Sequence, residues 1–288
     1  MKEQRIIEYY KKNWPYFVKL WQVDKTHCIH YGYYESGVET HIQSILKMND
    51  FVGKLMKLDF ENNKAKNVLD VGCGIGGTVV HLAKKYPNIK FIGVDIVPGH
   101  IEMAKQLAKD NQVNNAKFFN QDFSNMGFSR STFDIIYALE SINYSKNIRD
   151  HLGEMHRILI SNGKLIVIDG FRTNIRLNSF LQKFYNWFCE GRAITSLVSI
   201  EEIKLTLKFQ GFKEIKDINL TNTIKRSVVR GNLLSIPYLI LTLIKKIIKG
   251  KKYRINDDPA FPAAVSILAS MIGLKKGITY NAITAVKK

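Results

Sequence analysis

Cysteine is scarce in this chain, with three in 288 residues at Cys28, Cys73 and Cys189. The set is odd, scattered and without metal-ligand spacing. It describes neither a disulfide framework nor a zinc site and fits a reduced, intracellular setting with no metal. Proline is scarce too, at six residues, and 45% of the chain is hydrophobic, the composition of an ordinary globular protein. No repeat and no low-complexity segment interrupts it. Behind Met1-Lys2-Glu3-Gln4-Arg5 there is no apolar core of a signal peptide, so a cytoplasmic location is expected. The most apolar run, Leu233–Ile248, is broken by Pro237 and Thr242, and its unbroken part is too short to span a bilayer.

Acidic residues are the larger shortage: 25 Asp and Glu stand against 43 Lys and Arg, a net charge of +18. From Glu201 onward the ratio is 17 basic to 6 acidic. Such a balance favours an anionic partner, whether nucleic acid, a membrane surface or a phosphorylated or carboxylated substrate, or else marks a solvated, lysine-rich surface. The lysines are spread, and no RNA- or DNA-binding motif accompanies them, so nucleic acid is not the expected partner.

What is present is concentrated in Val68-Leu69-Asp70-Val71-Gly72-Cys73-Gly74-Ile75-Gly76-Gly77. A short apolar burst ends in an acid, opens into a glycine loop, and leads into a helix-compatible stretch at 78–85. Glycine suits such a loop because a Cβ would keep backbone amides from closing on a ligand, and because turns of this kind need positive φ. Gly72, Gly74 and Gly77 also satisfy the dinucleotide fingerprint, so glycine spacing alone leaves the cofactor open. Asp70 narrows it: a carboxylate there repels a pyrophosphate but attracts an ammonium or sulfonium. A second strand ends at Asp95, where a carboxylate can take both hydroxyls of a ribose. A third, Ala116–Asn120, ends in Gln121-Asp122, placed to meet the exocyclic amine of an adenine. Cys73 is read as a small residue at a crowded turn rather than a nucleophile.

Strand and helix alternate through 66–71, 78–85, 90–95, 98–111, 116–120, 133–139, 148–160 and 164–169, which predicts a parallel sheet wound on both sides. Asn162-Gly163 reads as the helix-to-strand turn, with left-handed backbone. Asn178–Cys189 reads as an aromatic-bearing helix, and Ser199 followed by Glu201 and Glu202 as a helix start. The fourth strand ends in Glu140-Ser141-Ile142-Asn143-Tyr144, which puts Glu140 at the mouth of the sheet. His151 and His156 are expected on a solvated helix face. Asp257-Asp258 offers either a Mg²⁺ site beside a diphosphate or, as the favoured reading, a solvated loop.

The acid–glycine loop followed by two further strand-end acids resembles the class I S-adenosylmethionine-dependent methyltransferases. The segment His30-Tyr31-Gly32-Tyr33-Tyr34 and the pair Glu140-Ser141 are similar to the branch that methylates sterols, tocopherols, prenyl diphosphates and other small molecules. The resemblance implies an α/β, Rossmann-like, seven-stranded and mostly parallel sheet with an antiparallel last strand near Thr279–Val286, plus a helical cap. It implies S-adenosyl-L-methionine as cofactor, S-adenosyl-L-homocysteine as product, and cofactor contacts at Asp70, Gly72, Gly74, Gly76, Asp95, Ile96, Asp122 and Phe123. Phe123-Ser124-Asn125 departs from the family's usual Leu-Pro-Phe after the third-strand acid. On the acceptor side, Glu140 is the candidate base or cation stabiliser, with Tyr144 and His30 as hydrogen-bond or cation–π partners.

The expected organisation is an aromatic entrance segment over 1–60, a cofactor-binding core over 61–222 with a cap element near 172–198, an insertion over 223–276, and a final strand over 277–288. The insertion reads as a cap helix over the acceptor site or as an interfacial helix touching a membrane through 233–249. The acceptor expected is small, largely apolar and open to carrying negative charge: isoprenoid, sterol-like or polyketide. O- or N-methylation of another metabolite and cyclopropane-type transfer to lipid are the alternatives. A nucleic-acid methyltransferase is disfavoured because Leu139-Glu140-Ser141-Ile142 stands where an Asn-Pro-Pro-Tyr tetrad would be. Asp70 and the antiparallel last strand disfavour a dehydrogenase.

Overall fold

In the computed structural model, residues 2–58, 65–253, 258, 261, 273 and 276–288 are described. Seven strands form one sheet: β1 (Asn67–Val71), β2 (Lys90–Asp95), β3 (Ala116–Asn120), β4 (Phe133–Leu139), β5 (Leu159–Arg172), β6 (Phe212–Asn219) and β7 (Ile278–Lys287). Their spatial order is β3-β2-β1-β4-β5-β7-β6, and only β7 runs antiparallel to its neighbours. The sheet is therefore Rossmann-like, mostly parallel and closed by a reversed strand, as the resemblance implied.

The central strands read as continuous apolar runs because both of their faces are covered. Successive side chains point to opposite faces. Val68, Ile135 and Ile166 face one layer, with Met48, Val52, Leu82 and Ile101 from α3 (His41–Met56), α4 (Gly77–Lys85) and α5 (Pro98–Asp110). Leu69, Ile136 and Val167 face the other, with Leu152, Met155, Ile203 and Leu207 from α6 (Ile148–Ile158) and α8 (Ile200–Phe209). Full burial of each such side chain contributes about 1.5–3 kcal/mol, so these two layers hold the sheet between the helices.

Helix boundaries follow capping chemistry. Thr40 and Gln43 form a capping box at the start of α3, and Ser199 and Glu202 form one at the start of α8. Asn178 caps α7 (Ser179–Gly191) by accepting from Leu181 N–H. The expected turn at Asn162-Gly163 lies inside β5: Asn162 is left-handed at φ 61°, and the pairing with β4 jumps from Phe133–Leu159 to Ile135–Lys164. The turn is a bulge in a longer strand, and Gly163 keeps negative φ, where an added Cβ would meet Leu159 Cγ at 2.7 Å.

The N-terminal part folds as α1 (Lys2–Trp21), the short α2 (Val23–Thr26) and α3. The expected insertion contains α9 (Lys225–Lys249), one unbroken 25-residue helix that runs through Pro237. The whole helix has the length and composition of a membrane-crossing one, but the stretch free of charge within it, 231–244, is as short as expected. It packs on α1 and the segment after α2: Ser227 Oγ accepts from Gly32 N–H at 2.9 Å, Arg230 donates to Leu20 O, and Tyr16 meets Tyr238 edge to face. Asp257 lies outside the described residues. Asp258 is buried and paired with Lys245 at 3.0 Å, not solvated as expected.

Candidate active site

Strand order reverses between β1 and β4, and a crevice opens at the carboxyl ends of the strands there, as in other open α/β sheets. The cleft holds about 900 Å³ including its open mouth. Its floor is the glycine loop, and one wall is α1 through Glu3, Ile6 and Tyr10.

The loop is shaped by hydrogen bonds from both sides. Gly72 N–H and Cys73 N–H donate to Val94 O at 2.8 and 2.9 Å, and Gly74 N–H donates to Asp95 Oδ2 at 2.9 Å. Gly72 has φ 86°, and a Cβ on it would stand 2.3 Å from Ser141 Cβ, so β1 and the end of β4 approach as closely as only glycine allows. Gly74, at φ 53°, meets nothing within 4 Å at its Cβ position, which faces open cleft. Gly76 serves a different purpose: its Cβ would strike Ala104 and Phe118, so it lets α4 start against α5 and β3 and does not line the cleft. Cys73 is buried and its thiol pushed well up by burial, which leaves it inert.

Asp70 is 2% exposed, and its Oδ1 has no hydrogen-bond partner. Burial pushes its carboxyl up to about 8 against the Tyr137 hydroxyl, with the nearby Asp95 charge adding to the rise. A buried carboxylate with one oxygen unpartnered beside a glycine cradle fits a cationic group, because a cation entering the cleft supplies the missing counter-charge. Asp95 is fixed by Gly74 N–H and by Val97 N–H at 2.9 Å, with His100 Nδ1 at 3.4 Å. Ile96 lines the cleft next to it. Asp122 is desolvated, yet Ser124 N–H and the Lys146 ammonium outweigh that and hold its carboxyl below the usual range. Phe123 is buried against the ring of His151, 4.6 Å between centroids. These donors and acceptors fit a zwitterionic, sulfonium-bearing nucleoside: acid for the amino-acid end, acid for the ribose, acid and aromatic ring for the base.

Glu140 follows β4 in the left-handed region at φ 53°, rare for a non-glycine residue and common at functional turns. Its Oε1 accepts from Tyr31 N–H and from the Tyr280 hydroxyl, both at 2.7 Å. Burial pushes its carboxyl up to about 8 against these two bonds, and Asp169 adds to the rise while Arg192 opposes it. Tyr144 stands at the end of a one-turn 3-10 helix, with its hydroxyl 3.2 Å from that of Tyr10. His30 is buried in the wall, its ring nitrogens 2.9 Å from Tyr31 O and 3.0 Å from Asn49 Oδ1. Burial lowers its pKa against these two contacts, and both ring nitrogens face the protein.

Residues that sequence does not assign to the site stand in or near the cleft. His151 is the correction: it is buried and lines the cleft, because it falls on the inward stripe Ile148, His151, Leu152, Met155, Ile158 of α6. His156 is partly exposed and stacks edge to face on Phe212. Lys146 links Asp122 to Glu3 of α1, closing the cleft from above. Arg192 lies over the Phe188 ring at 4.2 Å, donates to the Tyr31 hydroxyl at 3.3 Å, and is near enough for its charge to act on Glu140. No spacing signal marks these last residues, since the contacts that recruit them join distant parts of the chain.

Comparison with known proteins agrees with this geometry. Residues 62–211 match the family described as "Methyltransferase domain". The chain is 25% identical over 231 residues to norajmaline N-methyltransferase of Rauvolfia serpentina, covering 76% of this chain and 78% of that one. It is 27% identical over 198 residues to sterol 24-C-methyltransferase of Neurospora crassa, covering 68% and 51%. Its fold matches geranyl diphosphate C-methyltransferase from Streptomyces coelicolor A3(2) with a TM-score of 0.69 at 14% identity, over 100% of this chain and 98% of that one. With more than half its length matched to one family and a cleft that fits the methyl donor, the chain belongs to the methyltransferase-domain family as a class I, S-adenosyl-L-methionine-dependent enzyme of small molecules.

Proposed function

We propose that the protein methylates a small, largely apolar acceptor of isoprenoid, sterol-like or polyketide type, with Glu140 as the base or cation stabiliser. The observation that carries this reading is the Glu140 carboxyl, half-buried at the mouth of the sheet with both protein hydrogen bonds on Oε1. Oε2 is then the atom available to a bound acceptor. S-adenosyl-L-methionine supplies an electrophilic methyl carbon on a sulfonium centre. Around it the chain aligns reactants and excludes water. Held by Asp70, Gly72, Gly74, Asp95 and Asp122, the cofactor would give its methyl to the acceptor and keep the bonding electron pair on sulfur. The proton that the acceptor then loses goes to Glu140. A carboxyl with a pKa near 8 is matched to that task near neutral pH, and its charge offsets a cation developing on a carbon acceptor.

Tyr10 and Tyr144 line this end of the cleft, and their rings suit an apolar or cationic body. Arg192 adds a place for a negatively charged substituent of the acceptor. The relationship to norajmaline N-methyltransferase supports a second reading, N-methylation, in which the same carboxyl takes a proton from an ammonium. Incubation with methyl-labelled S-adenosyl-L-methionine and fractionated apolar extracts tests the proposal. Label in a non-polar, non-basic fraction supports it. Label confined to acid-extractable amines transfers the assignment to N-methylation.

A further inference from the structure

Helix α9 is amphipathic in the inverse sense. The face it presses against the protein is made of small and hydroxylated residues: Ser227, Gly231, Ser235 and Thr242 are all buried. Gly231 lets the Trp21 ring approach to 3.3 Å of where a Cβ would be, and Ser235 and Thr242 turn their hydroxyls back onto Gly231 O and Tyr238 O. The opposite side is aliphatic and exposed: Leu233, Ile236, Ile240, Leu243 and Ile247 recur at the spacing of one helix face, and Ile247 is 81% exposed. Water does not select such a surface.

The charge on the same helix says what does. From Lys225 to Tyr253 there are eight Lys and Arg and no Asp or Glu. They gather at the two ends, Lys225, Arg226 and Arg230 before the apolar stretch and Lys245, Lys246 and Lys249 after it. Arg226 and Arg230 donate to backbone carbonyls, and Lys245 pairs with Asp258, so most of the positive charge is not cancelled by acids. A protein partner or a second copy of this strongly basic chain would have to bring a matching acidic rim, whereas an anionic bilayer supplies both phosphates and acyl chains.

We propose that α9 lies in the plane of an anionic phospholipid membrane, with its aliphatic face among the acyl chains and its lysines and arginines at the phosphates. It lies on the surface and does not cross. The charge-free stretch Gly231–Ile244 is 14 residues, about 21 Å of helix, against a hydrocarbon core of about 30 Å. Its inner face is already committed to α1, and Pro237 lacks the N–H that would satisfy Leu233 O within a span. This inference does not depend on the acceptor reading.

Flotation of the full chain with vesicles tests it. Vesicles of phosphatidylcholine with about a third phosphatidylglycerol should carry the protein up the gradient, and phosphatidylcholine alone at least tenfold less. The exposed substitutions Leu233→Asp, Ile240→Asp and Ile247→Asp together should abolish flotation while S-adenosyl-L-homocysteine binding is unchanged, which shows the fold intact. The proposal is overturned by no flotation on anionic vesicles, by equal binding to both vesicle types, or by a triple variant that floats like the parent. It is also overturned if the chain sediments as a dimer that the same substitutions dissolve and does not float. Methyl transfer to a soluble acceptor is a separate readout that none of these results moves.

Discussion

The Tyr280 hydroxyl, on the one antiparallel strand of the sheet, donates to Glu140 Oε1 at 2.7 Å across the end of β5. The reversed strand thus reaches the Glu140 end of the cleft, and one of its tyrosines favours the ionised form of the carboxyl there. Removing that bond with Tyr280→Phe withdraws a contact that favours the ionised form, leaving Tyr31 N–H as the remaining donor. Hydrogen bonds to charged groups contribute about 1.5–3 kcal/mol, so the Glu140 carboxyl should rise by roughly one pH unit or more. The acidic limb of the kcat/KM profile should move up by that amount, with little change at high pH.

Asp70 and Glu140 are both raised to about 8 by burial. Unfolding returns each to the ordinary carboxylate range, so between about pH 4 and pH 8 the folded chain holds protons that the unfolded chain has released. Their stabilising contribution is complete below pH 4 and is lost as pH rises through 8, by up to about 1.4 kcal/mol per pH unit for each group. Thermal melts of the cofactor-free protein should fall steadily from pH 5 to pH 8. Asp70→Asn should flatten the slope.

Stability and cofactor binding pull in opposite directions at Asp70. A buried carboxylate with an oxygen left unpartnered is a cost to the fold that a cationic ligand offsets. Asp70→Asn should therefore melt at or above the parent temperature without ligand, yet bind S-adenosyl-L-methionine about 10- to 100-fold more weakly. Calorimetry beside the melts reads both effects in one preparation.

Two glycines of the loop should fail in different ways. Gly74→Ala puts a methyl into open cleft at a left-handed residue, costing about 1–2 kcal/mol in the backbone and obstructing the cofactor. It should fold and lose binding. Gly76→Ala drives a methyl to 2.8 Å from Ala104 Cβ and 3.0 Å from Phe118, so it should lower the melting temperature first.

Fold and cofactor side were legible because their signals are local. Val68, Leu69 and Val71 are apolar because helices cover both faces, and Asp70, Gly72 and Gly74 lie within one turn of backbone. The acceptor side was not, because its members meet across the fold: Arg192 reaches Tyr31 from 161 residues away, and Glu3 reaches Lys146 from 143. His151 was legible in principle, since it sits four residues before Met155 and three after Ile148 on a buried stripe. Its polarity hid a core position. Gly76 matched a cofactor motif, yet its Cβ position faces α5, which spacing cannot distinguish from a face toward ligand.

The role of Glu140 is the centre of the account, and Glu140→Gln tests it most directly, with transfer of labelled methyl followed beside calorimetry of S-adenosyl-L-homocysteine. The amide keeps the size of the side chain and the contacts at Oε1 but takes no proton. Cofactor affinity within about twofold of the parent and turnover lower by about 10²–10⁴ is the predicted result. Turnover equal to the parent, with the same product, would contradict it.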